Sequence, residues 1–123
     1  MLDHVSYIVS PKDAEACAGF YSILGFSRVE PPDALKQRAI WLRLGDTSIH
    51  LVFRDSDGVD VVRSLPGAGH VAYVIEQYEM VVGALESAGQ KVDHRTEYWG
   101  KPRCLVADPA GNSIELMAAP PAP

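Results

Sequence analysis

One segment of this chain is written twice. His4-Val5-Ser6-Tyr7-Ile8-Val9 is matched in residue type, position by position, by His70-Val71-Ala72-Tyr73-Val74-Ile75, at an offset of 66. Ser48-Ile49-His50-Leu51 is matched by Ser113-Ile114-Glu115-Leu116, at an offset of 65. A repeat is a statement about architecture before it is one about chemistry. Each copy opens on a strand rich in β-branched residues. A helix follows in each. In the first, Ala14, Cys17, Tyr21 and Leu24 recur at helical spacing with Phe20 beside them, and Gly25 stops the helix. Ser10-Pro11 reads as its N-cap and first-turn proline. In the second, 77–88 carries Met80, Val81, Ala84, Leu85 and Ala88 before Gly89. Three strand-like segments come after each helix, at 27–30, 38–44 and 47–53 and then at 91–97, 102–107 and 112–117. The expected fold class is therefore α+β, two tandem βαβββ modules. Module one covers about 2–55, a linker 56–68, and module two 69–118, within a single domain over 1–119. The proline-rich end, 120–123, cannot continue a strand and is expected to be a disordered tail.

Alternation along the strands sorts two faces. Val5, Tyr7, Val9, Ile49, Leu51, Phe53, Val71, Tyr73, Ile75, Ile114 and Leu116 fall in one register, an apolar face for the helices to cover. The opposite register holds His4, Ser6, His50, His70 and Glu115. Gly45-Asp46 reads as a two-residue hairpin loop, with glycine where a positive φ is needed. It pairs Trp41 with His50 and Arg43 with Ser48, so Trp41 and Arg43 join the second face. The last hairpin is longer and leaves two registers open. Either Arg103 and Leu105, or Cys104 and Val106, share a face with Glu115.

Asp108-Pro109-Ala110-Gly111-Asn112 reads as a tight turn feeding the last strand, with Pro109 and Gly111 fixing backbone angles and Asn112 tolerating the left-handed region. It delivers a lone carboxylate, Glu115, to mid-strand among apolar neighbours. Such a carboxylate is costly unless something compensates its charge. One histidine on a strand is most often a half-buried polar residue, and His94, which has no counterpart in the repeat, is read that way. His4, His50, His70 and Glu115 stand at corresponding points of the repeat. A divalent cation would compensate Glu115 and order the imidazoles, and nitrogen and oxygen donors suit Zn, Ni, Fe, Mn or Co. A site of three or four protein ligands with open positions is a catalytic pattern.

The totals exclude other classes. With 123 residues and 47% hydrophobic content the chain can bury a real core. A net charge of -5 leaves no basic stripe, so nucleic acid is not an expected partner. No apolar run is long enough for a membrane, and no signal peptide is evident at the N-terminus. Cys17 and Cys104 make no disulfide framework and read as buried reduced thiols of a cytoplasmic protein.

The paired modules, the two His-Val-x-Tyr strands and the Asp-Pro-x-Gly-Asn-x-Ile-Glu-Leu ending together resemble the vicinal oxygen chelate superfamily, the glyoxalase, bleomycin-resistance and extradiol-dioxygenase group. The resemblance covers 2–117. It implies that the modules curl into a cup of mixed sheet, helices on the outer face, as a homodimer whose cups are built from one chain or from two. It implies metal ligands at His4, His70 and Glu115. His50 falls where many relatives carry glutamate or glutamine, and is either a fourth ligand or a proton shuttle beside the site. His50 and Glu115 are the catalytic candidates. Ser6, Trp41, Arg43 and Trp99, the last in a Tyr98-Trp99-Gly100 loop read as a lid, are candidates for contacting a small-molecule substrate. The implied chemistry is lyase or isomerase type, with a metal stabilising an enolate or oxyanion. Alternatives are a ferrous extradiol-type dioxygenase, a thiol transferase, and a metal-free drug-binding resistance protein.

Overall fold

The computed structural model of the chain describes residues 2–54 and 70–122. The expected linker, 56–68, lies outside the described residues. The chain divides into two compact units, 1–60 and 61–123. Module one runs β1 (His4–Val9), a 3-10 turn (Pro11–Asp13), α1 (Ala14–Ile23), β2 (Ser27–Val29), a second 3-10 turn (Asp33–Leu35), β3 (Ala39–Leu44) and β4 (Thr47–Phe53). Module two runs β5 (Val71–Val74), α2 (Tyr78–Ser87), β6 (Asp93–Thr96), β7 (Pro102–Ala107) and β8 (Ser113–Met117). The sheets have the orders β1-β4-β3-β2 and β5-β8-β7-β6. In each, the first strand pairs parallel with the last, and the other pairings are antiparallel. The fold class is α+β, and the βαβββ unit occurs twice.

Local chemistry explains the boundaries. Gly25 and Gly89 adopt φ of 106° and 90° just past α1 and α2. In each case the glycine N–H and the next N–H turn back onto helix carbonyls: Gly25 to Ser22 and Phe26 to Tyr21, Gly89 to Glu86 and Gln90 to Leu85. This double bond pattern satisfies carbonyls that a helix end otherwise leaves orphaned. The start of α1 differs from expectation. Ser10 makes no side-chain cap; Pro11 opens a 3-10 turn instead, and α1 begins only at Ala14. A proline with φ near -65° suits either helix type, so spacing alone could not separate them. The Gly45-Asp46 hairpin has the expected register, Leu44 opposite Thr47 through Trp41 opposite His50. Only Gly45 has positive φ, 58°, as in a type II′ turn.

The core of module one is aromatic. Tyr21, fully buried, lies parallel to Tyr7 at 5.7 Å and meets Phe20 and Phe26 edge-on. Val9, Leu42, Ile49 and Leu51 close over them. In module two Tyr73, Ile75, Val82, Leu85, Cys104, Val106, Ile114 and Leu116 do the same work. Val5, Phe53 and Val71, expected on this face, are half-buried because they sit at strand ends.

Cys17 and Cys104 are in no disulfide among the described residues, and both are fully buried. Burial pushes the Cys104 thiol up, because a thiolate loses its hydration inside the core. Its contribution to stability is present in full below the unfolded thiol's value and is lost as pH rises through the folded one. Native protein is therefore expected to resist an aromatic disulfide reagent at neutral and mildly alkaline pH. Both thiols should react only on unfolding, and rapid labelling of Cys104 in the folded protein would contradict this packing.

Candidate functional site

In module two the turn before β8 is built on Asp108. Its Oδ1 accepts the backbone N–H groups of Ala110 and Asn112 at 3.0 and 2.9 Å, and its Oδ2 accepts the Asn112 side-chain amide at 2.9 Å. Gly111, at φ 90°, supplies the one left-handed residue. Asn112 was expected to tolerate that conformation, yet it does not adopt it; its amide instead locks Asp108. The turn sets β8 between β5 and β7, with Ala72 and Leu105 flanking Glu115. The register left open in the sequence is thereby fixed. Arg103 and Leu105, not Cys104 and Val106, share Glu115's face, and Cys104 and Val106 are core.

Glu115 is 9% exposed, and two groups reach it. His70 Nε2 lies 3.0 Å from Oε2, and Arg103 Nη1 donates to Oε1 at 3.2 Å. Arg103 is not Glu115's alone. Its Nε lies 3.6 Å from Oε2 of Glu97, also 9% exposed, an ion pair too long for a hydrogen bond. Glu97 Oε1 and Arg103 Nε are buried without hydrogen-bond partners among the described residues. Two carboxylates thus share one guanidinium. When both are ionised and His70 is neutral, the group keeps one surplus negative charge in a weakly hydrated place.

In module one the corresponding strands carry a column of rings. His50, opposite Ser6 on β1 and Trp41 on β3, is sandwiched. Trp41 stacks on one face at 4.1 Å and 2°, His4 on the other at 4.0 Å and 18°. His4 Nδ1 is held by Asp3 Oδ2 at 2.8 Å, which leaves Nε2 with a free lone pair. This bond also lowers the Asp3 carboxyl. Burial first, and then the neighbouring His4, hold the His50 imidazole below its ordinary value against the opposing pull of Asp3, so His50 is neutral at pH 7.

The structure thus brings His4 together with His50 and Trp41, and His70 together with Glu115. Among the described residues of either module, no three His, Cys, Asp or Glu side chains converge on an ion-sized point. The donor chemistry nonetheless fits a metal. Two donors bound side by side at about 2.1 Å from one ion stand about 3.0 Å apart. His70 Nε2 and Glu115 Oε2, hydrogen-bonded at 3.0 Å, have that spacing, which is the one for octahedral ligands; tetrahedral ones stand about 3.4 Å apart. His4 has the anchored Nδ1 and free Nε2 of a ligating imidazole. The stacked planes of His4 and His50 run nearly parallel, and lone pairs lie in the ring plane, so one ion cannot take both unless a ring turns.

The remaining candidates are dispersed. Ser6 and Arg43 are exposed on β1 and β3. Trp99 donates its indole N–H to the Ala119 carbonyl at 3.2 Å, within a local turn where Glu97 N–H bonds the Lys101 carbonyl. His94, read as half-buried, is instead exposed at the surface, 3.3 Å from Glu86. Arg103, Glu97 and Asp3 were missed in the sequence. Asp3 had a signal, since a carboxylate preceded a proposed ligand; Arg103 waited on a register.

The sequence matches the glyoxalase-like domain family over residues 6–117, and the chain belongs to that family. Among solved structures, a glyoxalase family protein from Bacillus anthracis has 24% identity over 95% of this chain and 93% of its own, with a TM-score of 0.78. A lactoylglutathione lyase from Agrobacterium tumefaciens has 18% identity over 95% and 92%, with a TM-score of 0.69. A glyoxalase/dioxygenase from Nostoc punctiforme has 20% identity over 98% and 92%, with a TM-score of 0.78. At these identities the likeness is one of fold. No curated protein matches the sequence. No helix among the described residues is long and apolar enough to cross a membrane.

The sharing of Arg103 has a measurable consequence. In metal-free protein, Arg103→Met leaves Glu97 and Glu115 uncompensated and should lower stability to urea by about 2–3 kcal/mol, less than for a fully buried pair because Arg103 keeps some solvent. Adding Glu97→Gln should restore part of the loss. A change below about 0.5 kcal/mol would mean that solvent carries the charge instead.

Proposed function

We propose that this protein is a divalent-metal-dependent enzyme of lyase or isomerase type, acting on a small metabolite that presents two adjacent oxygens. The observation that carries the reading is the pair His70 Nε2 and Glu115 Oε2, 3.0 Å apart beside a carboxylate surplus. His70, Glu115 and His4 are its ligands, with modules drawn from one chain or from two copies in a homodimer. Zn, Ni, Fe, Mn or Co suits this donor set. When bound, the ion supplies Lewis-acid stabilisation of an enolate or similar oxyanion.

The chain's own residues do the rest. His50, wedged between two rings and neutral, takes or returns a proton at a ring nitrogen rather than serving as a fourth ligand. Asp3 fixes the His4 tautomer. Arg103 orients Glu115 by holding Oε1 and leaving Oε2 to His70. Trp41 walls the approach to His50, while Ser6 and Arg43 offer polar contacts nearby. The same three residues would also suit a ferrous ion, the alternative in which the bound ion would supply dioxygenase chemistry. A second reading, metal-free binding of a small molecule, draws on Arg103, which already does for Glu115 part of what an ion would do.

Metal analysis of protein purified without added metal, with thermal shifts for stripped protein and for His70→Ala, tests these readings. The expected result is metal retained by the wild type, a raised Tm on adding one of these ions, and affinity lowered more than about 100-fold by His70→Ala, beyond the usual effect of residues that only support a ligand. No metal and no shift with any of the ions would overturn the proposal in favour of metal-free binding. Iron alone, with oxygen uptake on catechols, would select the dioxygenase.

A further inference from the structure

Module one contains a cavity of about 440 Å³ at the end of the β3–β4 ladder, lined in part by Arg38, Trp41, His50, Phe53 and Arg54. The volume is in the range of small-ligand sites. Its walls are largely apolar and its charged groups are of one sign. Arg38 precedes β3 and Arg54 follows β4; the Phe53 N–H bonds the Arg38 carbonyl at 2.9 Å, so the two residues stand at the same end of the ladder and both line the cavity. Both are exposed, and neither has an ion-pair partner among the described residues. The other arginines of module one differ. Arg28 is clamped bidentately by Glu15, and Arg43 lines a separate cavity that also holds Asp3 and Glu30. Both cavities touch Trp41 and His50, but among the described residues the first is lined by no carboxylate and the second by two.

A guanidinium offers a carboxylate charge-assisted hydrogen bonds in a planar fork, and a cavity lined by two of them with no described carboxylate favours an organic anion. The flat indole and phenyl walls, and the ring column behind Trp41, favour a planar apolar body over a bulky saturated one. We infer that this cavity binds a planar aromatic or heteroaromatic carboxylate, its acid group on Arg38 and Arg54 and its ring against Trp41. The inference names the substrate class of the site proposed above and rests on that reading for taking His50 as the reactive neighbour. The binding itself involves only groups of module one and needs no metal.

The test uses 2-naphthoate, which has one carboxylate and no vicinal oxygen pair to chelate with, on metal-stripped protein by calorimetry. Binding is expected, weakening as salt rises. Arg38→Gln/Arg54→Gln should weaken it about tenfold or more, as should removing the charge in 2-naphthylmethanol. Trp41→Leu should weaken it too, and cyclohexanecarboxylate should bind worse than the aromatic acid. Both arginines are exposed, so circular dichroism of the double variant should match the wild type. Equal affinity in the double variant, or binding only after metal is added, overturns the inference. The two readings fail separately. Naphthoate binding by protein that takes up no metal sinks the metal proposal alone, and metal uptake without naphthoate binding sinks this one alone.

Discussion

A carboxylate in the middle of a sheet face is the constraint on which module two depends. At 9% exposure a carboxylate loses most of its hydration, and the cation that stands against Glu115 is Arg103. Yet Arg103 is also the partner of Glu97, so its single charge is spread over two acids. A guanidinium suits this position because its fork reaches two acceptors at once, which a lysine ammonium could do only as a point charge. The remaining imbalance is met in part by His70, whose ring nitrogen reaches Glu115's other oxygen. Arg103 therefore makes Glu115 tolerable while leaving its Oε2 to His70.

The repeat sets the same backbone positions to different chemistry. His50 pairs with Trp41 across its hairpin, and Glu115 pairs with Leu105 across the equivalent one. Where module two has Arg103 opposite Met117, module one has Ala39 opposite Val52. An imidazole kept neutral by burial needs no counter-ion, so module one can do without the arginine and use rings instead. Trp41 and His4 cover both faces of His50 and leave its edge free. A carboxylate in that column would lose hydration with nothing to replace it.

Much of this was legible in the sequence, for reasons that are local. The repeat gave both modules, glycines 25 and 89 marked the helix ends, and the two-residue Gly45 hairpin fixed Trp41 opposite His50 without ambiguity. The register of β7 was not legible. The Asp108 turn holds its geometry by side-chain bonds rather than by length, so counting residues could not say whether Arg103 or Cys104 shared Glu115's face. With the register undetermined, the search for Glu115's compensating charge turned to a metal, when a protein cation was twelve residues away in the chain. The stacking of His4 on His50 was equally out of reach. Period two puts both rings on one face, but ring orientation decides whether they converge on a point or lie flat together.

That last distinction bears on how a duplicated scaffold builds a site. Duplication alone would give two equivalent pairs and a symmetric set of four donors. Here the copies have separated their duties. Module two holds the negative charge that a cation needs, in Glu115 and Glu97, together with one imidazole donor. Among its described residues, module one has one carboxylate at the ring column, exposed Asp3, which holds His4. It contributes stacked imidazoles, a flat aromatic wall and, at the end of its sheet, two arginines that have no ion-pair partner among the described residues. The same backbone scaffold thus carries buried acidic charge in one copy and exposed basic charge in the other, because β7 places an arginine and β4 a histidine where the repeat left the side chain open.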